Sequence, residues 1–158
     1  MIVGGRRVHP AAVLAALDVT GLAIATYLSV VELRGGVPSC GPLRGCETVA
    51  RSSYSRIGDV PVAVFGVFLS LALLALALAW WRTNDGRLLA AHYGLSLFGV
   101  VFEVYFTYLE LFVIGAVCVW CAAYGISLLA RFLVALSVWR RRDLWPGGGR
   151  ARQSPQAG

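Results

Sequence analysis

The sequence predicts an all-α membrane protein, a bundle of four transmembrane helices capped by an extracytoplasmic loop. The chain has 158 residues, of which 58% are hydrophobic and only 14% are charged, and its mean hydropathy is +0.73. A soluble domain is ordinarily about 25% charged. In addition, four apolar runs each approach or exceed the length of about 20 residues that a helix needs to cross the hydrocarbon core. Together these features indicate an integral membrane protein.

The predicted spans lie at about 11–33, 61–81, 88–114 and 116–139. The first run is too long for the apolar part of a cleaved signal peptide and has no fitting cleavage site, so we expect it to remain as a helix. The third run contains Glu103 and Glu110, but an open sheet cannot lie in lipid, and a helix is still expected there. The four spans form one domain at 11–139 and place both termini on the same side.

Arginine residues predict the orientation, because short cytoplasmic segments carry an excess of basic residues. The side with the termini and the second loop has nine: Arg6, Arg7, Arg82, Arg87, Arg140, Arg141, Arg142, Arg150 and Arg152. The first loop, at 34–60, has four: Arg34, Arg44, Arg51 and Arg56. We therefore expect a cytoplasmic N-terminus at 1–10, a basic, disordered cytoplasmic tail at 140–158 and an outer loop at 34–60.

The composition also bears on source and partners. A chain rich in Arg, Ala, Gly and Leu, with no Lys, favours a GC-rich bacterial genome, an inference that concerns origin only. The arginines lie at the ends of apolar runs and not in a basic stripe with exposed aromatic residues, so no nucleic-acid partner is expected. Within the outer loop, 47–60 mixes charged, hydroxyl and apolar residues, which predicts a short amphipathic helix on the membrane surface.

All four cysteines fall at the predicted outer face, in two pairs. Cys40 and Cys46 form CGPLRGC in the first loop, and Cys118 and Cys121 form CVWC at the start of the fourth span. They could be buried apolar residues, a structural disulfide or zinc ligands. A redox function is favoured because an outer face permits disulfides, and because CxxC is the spacing of a redox pair whose first thiol gains acidity at a helix N-terminus. The loop glycines and proline also let that pair move.

Two such pairs at one surface can form a relay. Thiol-disulfide exchange proceeds by thiolate attack and a mixed disulfide, so the pairs could pass two electrons inward from an outside protein. An acceptor must then take them from Cys118 and Cys121. The sequence has no haem, flavin or nucleotide motif, and the interior of a helix bundle is where cofactor pockets form. A lipid-soluble quinone meets that requirement.

The order of these motifs resembles the vitamin K epoxide reductase family, in particular its bacterial members. The loop C-x5-C is followed by SSYSRIGDVPVAVFG at the second span and by YLELFVIGAVCVWC at the fourth. The similarity extends over about Ala11 to Leu136. The DsbB family also has four spans and two cysteine pairs, but its CxxC lies in the first loop. Here the CxxC comes last, which disfavours that family.

The resemblance implies a disulfide-generating enzyme that oxidises a thioredoxin-like, DsbA-like partner and reduces ubiquinone or menaquinone. By position, Cys40 would exchange with the partner, Cys46 would pass electrons to Cys118, and Cys121 would face the quinone. Ser52 matches the family's pocket serine and would hydrogen-bond the quinone or an intermediate. Many bacterial members carry a fused thioredoxin-like domain, but this chain has no fifth cysteine, so a separate partner is expected. No metal site is expected.

Four aromatic residues are candidates for the wall of a quinone pocket, since a ring offers a flat apolar face. They are Tyr54, Phe65, Trp120 and Tyr124. For Phe65 and Trp120, a position in the core or against lipid explains the ring equally well. Vertebrate members have a tyrosine four residues after the last cysteine, where this chain has Gly125. The resemblance therefore supports quinone reduction here and not the reduction of vitamin K epoxide.

Charged residues within the spans are expensive and often functional. At about 1.5 Å per residue, Asp18 and Arg131 reach a similar depth from opposite ends of their helices. We expect them to pair, although Arg131 could instead extend its side chain to the interface alone. Glu110, near the outer end of the third span, could assist proton movement or anchor the helix at the interface. Glu103 shares its helical face and receives no role. The rival to an enzyme is a non-enzymatic membrane protein with four spans and structural disulfides.

Overall fold

A computed structural model describes residues 2–3, 6–7, 9–40 and 45–143 of the protein. The α-helices in these ranges are α1 Pro10–Leu33, α2 Gly45–Ala50, α3 Val62–Thr83, α4 Gly86–Tyr108 and α5 Val119–Asp143. A π-helical segment, Leu109–Ile114, continues α4. Four helices, α1, α3, α4 with its π-helical extension, and α5, are long and apolar enough to cross a membrane. The prediction of a four-helix membrane bundle is confirmed.

The predicted termini lie largely outside this description. Short strands β1 Ile2–Val3 and β2 Arg6–Arg7 pair antiparallel near the N-terminus. At the other end, α5 continues past the predicted end at 139 as far as Asp143. The predicted disordered tail from 144 to 158 lies outside the described residues, and so does Arg44 of the first loop.

The helix boundaries follow from local sequence. Before α1, the His9 side chain accepts a hydrogen bond from the Ala11 amide at 3.3 Å, and Pro10 occupies the first turn, where its missing N–H is not needed. Helix α3 ends at Thr83, and the cap residue Asn84 that follows has a left-handed φ of 55°. Asp85 then caps α4 by accepting a hydrogen bond from the Arg87 amide at 2.9 Å. Two residues thus suffice to reverse the chain between α3 and α4.

The four long helices form a closed ring in which α1 contacts α3, α3 contacts α4, α4 contacts α5, and α5 contacts α1. The end of this ring where α1 finishes and α5 starts holds the cysteines, and we call it the cysteine end. At the opposite end the core is built on Leu14, Trp80 and Leu89. Large apolar side chains such as Phe98 and Ile126 face outward, 64% and 69% exposed. Such an outer surface suits lipid, because a soluble protein seldom exposes large apolar patches.

Buried charges hold the helices together in the middle of the ring. The Arg131 Nε atom of α5 lies 3.5 Å from Asp18 Oδ1 of α1, and both side chains are completely buried. The predicted ion pair is therefore confirmed. The sequence had not indicated a third member, His92 of α4, whose Nε2 atom lies 3.2 Å from Asp18 Oδ2. Gly21 of α1 faces the Arg131 guanidinium at a point where any side chain would overlap it. We call Asp18, His92 and Arg131 the ion cluster.

The first loop is more divided than the single amphipathic helix predicted at 47–60. It contains α2, a 3-10 turn at Ser53–Ser55, and a hairpin of β3 Arg56–Ile57 with β4 Val60–Pro61. Hydroxyl groups end α2 because the Ser52 and Ser55 side chains donate to the carbonyls of Val49 and Ala50, at 2.7 and 2.8 Å. Side-chain hydrogen bonds of this kind compete with further helix. Gly58 at φ 65° then turns the hairpin.

Candidate functional site

The two cysteine pairs meet at the cysteine end. Cys40 and Cys46 form a disulfide with their Cα atoms 5.9 Å apart, whereas Cys118 and Cys121 are free thiols. The sulphur atoms of Cys40, Cys46 and Cys118 all lie within 4.8 Å of one another. A small shift would therefore bring a loop sulphur into bonding contact with Cys118. The sequence placed all four cysteines at one face, and the fold brings three of their sulphurs into one cluster.

Close packing of α2 on the start of α5 produces this meeting. Gly45 sits directly on the backbone of Val117, so that a Cβ atom there would overlap the Val117 carbonyl. The next residue, Cys46, is completely buried and packs in one cluster with Cys118, Val49 and Phe106. Cys40, by contrast, is only half-buried. Of the two loop cysteines, Cys46 is therefore the more deeply buried and Cys40 the more accessible.

Trp120, a predicted quinone-wall residue, holds the loop instead. Its indole Nε1 donates a hydrogen bond to the Ser39 carbonyl at 3.0 Å, and its ring lies 4.8 Å from that of Tyr27. Ser39 is the residue before Cys40. The tryptophan therefore fixes the outer side of the loop disulfide to α5.

Cys118 occupies the position just before α5. The backbone N–H of Cys121 donates to the Cys118 sulphur at 3.4 Å. Hydrogen bonding from the Cys121 thiol, followed by that backbone contact, lowers the pKa of the Cys118 thiol, against an opposing effect of burial. The first cysteine of the CVWC motif is therefore the more readily ionised, as expected for a thiol at a helix N-terminus.

Glu110 of the π-helical segment lies next to the sulphurs of Cys118 and Cys121, which we call, together with Cys40 and Cys46, the sulphur site. One of its carboxylate oxygens, the Cys118 sulphur and the Cys121 sulphur are all within 4.8 Å of one another. Its Oε2 accepts a hydrogen bond from the Cys118 amide at 3.4 Å, while Oε1 has no hydrogen-bond partner within residues 9–40 and 45–143. The side chain is only 2% exposed. The interpretation of Glu110 as an interfacial anchor is therefore wrong.

A cavity of about 210 Å³ opens beside Cys121. Its lining comes from all four long helices and from the first loop, and includes Phe65, Phe102, Glu103, Phe106, Cys121 and Tyr124. At its inner side the Tyr124 hydroxyl donates to the Gly66 carbonyl at 3.0 Å and lies 3.2 Å from the Ser70 hydroxyl. The predicted pocket residues Phe65, Cys121 and Tyr124 are thus brought together around one apolar space.

The other predicted pocket residues lie elsewhere. Ser52 and Tyr54 line a separate hollow on the surface of the loop, together with Glu47 and Val113. The Ser52 hydroxyl is engaged with the Val49 carbonyl at 2.7 Å, and Tyr54 is 47% exposed. Among the described residues, Ser52, Tyr54 and Trp120 do not contribute to the lining beside Cys121.

A family comparison agrees with this arrangement. The profile of the Vitamin K epoxide reductase family matches residues 12–136, a range that includes most of the four long helices, both cysteine pairs and the cavity lining. The chain belongs to the Vitamin K epoxide reductase family. A comparison with curated proteins finds no significant match. Membership makes the protein a membrane thiol oxidoreductase that acts through its cysteines. The Vitamin K epoxide reductase family is linked to quinones in general and works with thioredoxin-like redox partners.

Proposed function

We propose that this protein generates disulfides by oxidising a separate thioredoxin-like, DsbA-like protein and passing the electrons through its two cysteine pairs to a quinone. The observation that carries the proposal is that the cysteine sulphurs lie close together between the loop and the cavity. Cys40, Cys46 and Cys118 lie within 4.8 Å of one another, and Cys121 is in the wall of the apolar cavity. Electrons can therefore travel from the surface to the bundle interior by exchange between neighbouring sulphurs.

The exposure of the cysteines supports one order of exchange. Cys40 is half-buried and accessible to a partner protein, whereas Cys46 is completely buried against Cys118. Once the partner has reduced the loop disulfide and the CVWC pair has been oxidised to a Cys118–Cys121 disulfide, the Cys46 thiolate attacks Cys118, forms a Cys46–Cys118 bond and releases the Cys121 thiolate. Cys40 then attacks Cys46, which re-forms the loop disulfide and releases Cys118. The outcome is an oxidised loop pair beside a reduced CVWC pair, the redox state described above.

The cavity fits the ring of a quinone. Aromatic side chains such as Phe65 and Phe102 line it, and apolar rings with few polar groups are typical of such pockets. Phe65 and Tyr124 would hold the ring, with the Cys121 thiol facing it. When bound, a quinone supplies an acceptor for two electrons. Ubiquinone and menaquinone share the ring chemistry on which this proposal rests. We assign Ser52 and Tyr54 to the first loop, and Trp120 of α5 to the contact that holds this loop, so that none of the three belongs to the quinone pocket.

The arginine distribution supports an orientation for this reaction. With both termini in the cytoplasm, the cysteine end faces outward, where disulfides persist. In a bacterial cell this corresponds to a protein of the inner membrane that serves secreted substrates. The partner would then be an extracytoplasmic protein that meets Cys40 at the loop surface.

Quinone-dependent recovery of the disulfides tests the proposal. The purified protein would be fully reduced, freed of reductant, and incubated with a short-chain ubiquinone or menaquinone before acid quenching and mass spectrometry of alkylated thiols. We expect loss of all four free thiols together with appearance of quinol. The matched control is the Cys118→Ala/Cys121→Ala double variant, which should retain its loop thiols. If quinone leaves the wild-type thiols unchanged, the cysteines are structural and the non-enzymatic alternative is correct.

A further inference from the structure

Glu110 is a buried carboxyl group for which the cysteine relay has no use. A carboxylate in a membrane span is costly unless it is paired or functional. Its Oε2 accepts a hydrogen bond from the Cys118 amide at 3.4 Å, but its Oε1 is buried without a hydrogen-bond partner in the described part of the chain. No arginine or histidine forms an ion pair with it in those residues, in contrast with Asp18. The Glu110 carboxyl group is therefore held by one hydrogen bond, but no basic side chain in the described residues neutralises its charge.

The position of Glu110 indicates what it serves. A carboxylate oxygen of Glu110 and the sulphurs of both CVWC cysteines lie within 4.8 Å of one another. No other carboxyl group in the described residues is grouped with these two sulphurs at that range. A proton-transfer group must reach the reacting atom directly or through one water molecule. Glu110 has that reach for both Cys118 and Cys121.

We propose that Glu110 is the general acid and base of the exchange between the two cysteine pairs. The inference rests on the relay proposed above, in which two thiols become a disulfide in the loop and a disulfide becomes two thiols in the CVWC motif. Two protons must accompany the two electrons. Of the reacting sulphurs, Cys118 and Cys121 are the two beside Glu110. Its carboxyl group donates a proton to Cys121 as that sulphur leaves and recovers one, through a bridging water molecule, from the attacking Cys46 thiol. The second proton follows the same way from Cys40 to Cys118, so that Glu110 ends as it began.

This assignment also explains why the site tolerates an unpaired oxygen. A permanent ion pair would hold Glu110 in its charged form and prevent it from donating a proton. The hydrogen bond from the Cys118 amide holds one oxygen, and the carboxyl group stays near the sulphurs of Cys118 and Cys121 without an ion-pair partner in the described residues. Removing the carboxyl group should slow the exchange by about 10²-fold, the lower end of typical general acid–base contributions.

The test measures exchange without any quinone. Fully oxidised protein would be mixed with dithiothreitol at rising concentrations, until the rate at which thiols appear at Cys118 and Cys121 no longer depends on dithiothreitol and reports the internal exchange; acid quenching and alkylation would follow those thiols. We expect the Glu110→Gln variant to be about 10²-fold slower near pH 7. The matched control is Glu47→Gln, because Glu47 lies on α2 but is exposed and paired with Arg51 at 3.0 Å. Its rate should equal that of the wild type.

The pH profile separates proton transfer from a structural role. Without a base, the Glu110→Gln variant depends on thiolate already present, so its rate should rise about tenfold per pH unit below the thiol pKa of about 8.5. The wild-type profile should be shallower. The titratable groups around the site are the four cysteines and Glu103, which both proteins share. A structural defect would instead lower the rate by the same factor at every pH, and that result would overturn the proposal.

Further outcomes are equally decisive. A Glu110→Gln rate within twofold of the wild type would overturn the role of Glu110 while leaving quinone reduction intact. Wild-type exchange without any quinone reduction would instead contradict the proposed function and leave Glu110 in place. If the glutamine variant does not fold, Glu110→Asp keeps a carboxyl group on a shorter side chain, and it should retain the shallow profile at a reduced rate. A steep profile in folded Glu110→Asp would count against the proposal.

Discussion

Two regions of this protein bury a carboxylate among the same four helices. In one region the carboxylate forms an ion pair, and in the other it does not. In the ion cluster, Asp18 has Arg131 at 3.5 Å on one oxygen and His92 at 3.2 Å on the other. Near Cys118 and Cys121, Glu110 accepts a hydrogen bond from a backbone amide on one oxygen and forms no ion pair with any basic side chain in the described part of the chain. Paired charges hold helices in place, whereas a group that must gain and lose protons is left unpaired.

The two regions are linked through the cavity. Arg131 of the ion cluster donates to Ser70 at 3.5 Å, and Ser70 contacts the hydroxyl of Tyr124, which lines the cavity. The ion cluster therefore supports the inner wall of the cavity, while Cys121 lines another part of it. We expect substitutions in the ion cluster to change mainly stability and substitutions of the cysteines to change mainly electron transfer, so the two quantities should be measured independently.

The largest expected effect is on electron transfer alone. The Cys121→Ser variant should abolish quinone reduction, because only Cys121 among the cysteines is in the cavity lining. The loop disulfide should still exchange with a dithiol, since Cys40 and Cys46 are untouched. Stopped-flow absorbance of the quinone and alkylation of the loop thiols would measure the two activities.

Stability provides the control for this variant. Its melting temperature in detergent should match that of the wild type, because serine replaces a half-buried thiol far from the ion cluster. Quinone reduction at the normal rate would remove Cys121 from the mechanism and assign the electron transfer to another group.

The next effect is the trapping of an intermediate. In a Cys40→Ala variant supplied with quinone, Cys46 can attack the Cys118–Cys121 disulfide, but no second loop thiol remains to resolve the mixed disulfide at Cys46. We expect a Cys46–Cys118 crosslink to accumulate, detected as a linked peptide pair by mass spectrometry under non-reducing conditions. The converse Cys46→Ala variant should form little Cys40–Cys118 crosslink, since Cys40 is the outer sulphur. Equal crosslinking by both variants would show that the loop cysteines are interchangeable.

Substitutions in the ion cluster should lower the free energy of unfolding and leave the exchange between the cysteine pairs unchanged. Asp18→Asn leaves Arg131 buried without its counter-charge, which should destabilise the fold by about 3–5 kcal/mol. Asp85→Asn is the matched control, because Asp85 is an exposed helix cap and asparagine caps equally well. Equilibrium unfolding in mixed detergent micelles would measure both. In a double-mutant cycle with Arg131→Gln, the two losses should not add, and additive losses would mean that the ion pair contributes nothing.

The comparison also shows what sequence reasoning can reach. Depth was predictable: counting 1.5 Å per residue from helix ends placed Asp18 level with Arg131, and the structure pairs them. The direction in which each side chain points around the helix axis was not predictable. Each residue turns about 100° relative to the one before, so Cys121 faces the cavity while its neighbour Trp120 faces the loop. His92 was missed for the same reason, because its depth alone did not indicate which helix it faces.

Loop positions were the least predictable. The family resemblance placed Ser52 near a pocket, but its distance in sequence from Cys46 says nothing about the path of the chain between them. The fold instead uses the hydroxyl of Ser52 to end α2, at 2.7 Å from the Val49 carbonyl. Likewise, the contact between Gly45 and Val117, which docks the loop on α5, joins residues far apart in the chain and has no signature in either segment.

The smallest expected effect distinguishes the two roles considered for Trp120. Trp120→Phe keeps an aromatic ring but removes the hydrogen bond to the Ser39 carbonyl, a loss of about 0.5–1.5 kcal/mol. The loop disulfide should then dock less firmly on α5, and exchange between the cysteine pairs should slow severalfold in the quinone-free assay. The KM for quinone should stay unchanged, because the indole lies outside the lining beside Cys121. A raised KM with normal exchange would instead return Trp120 to the quinone pocket and show that the bound state differs there from the fold described.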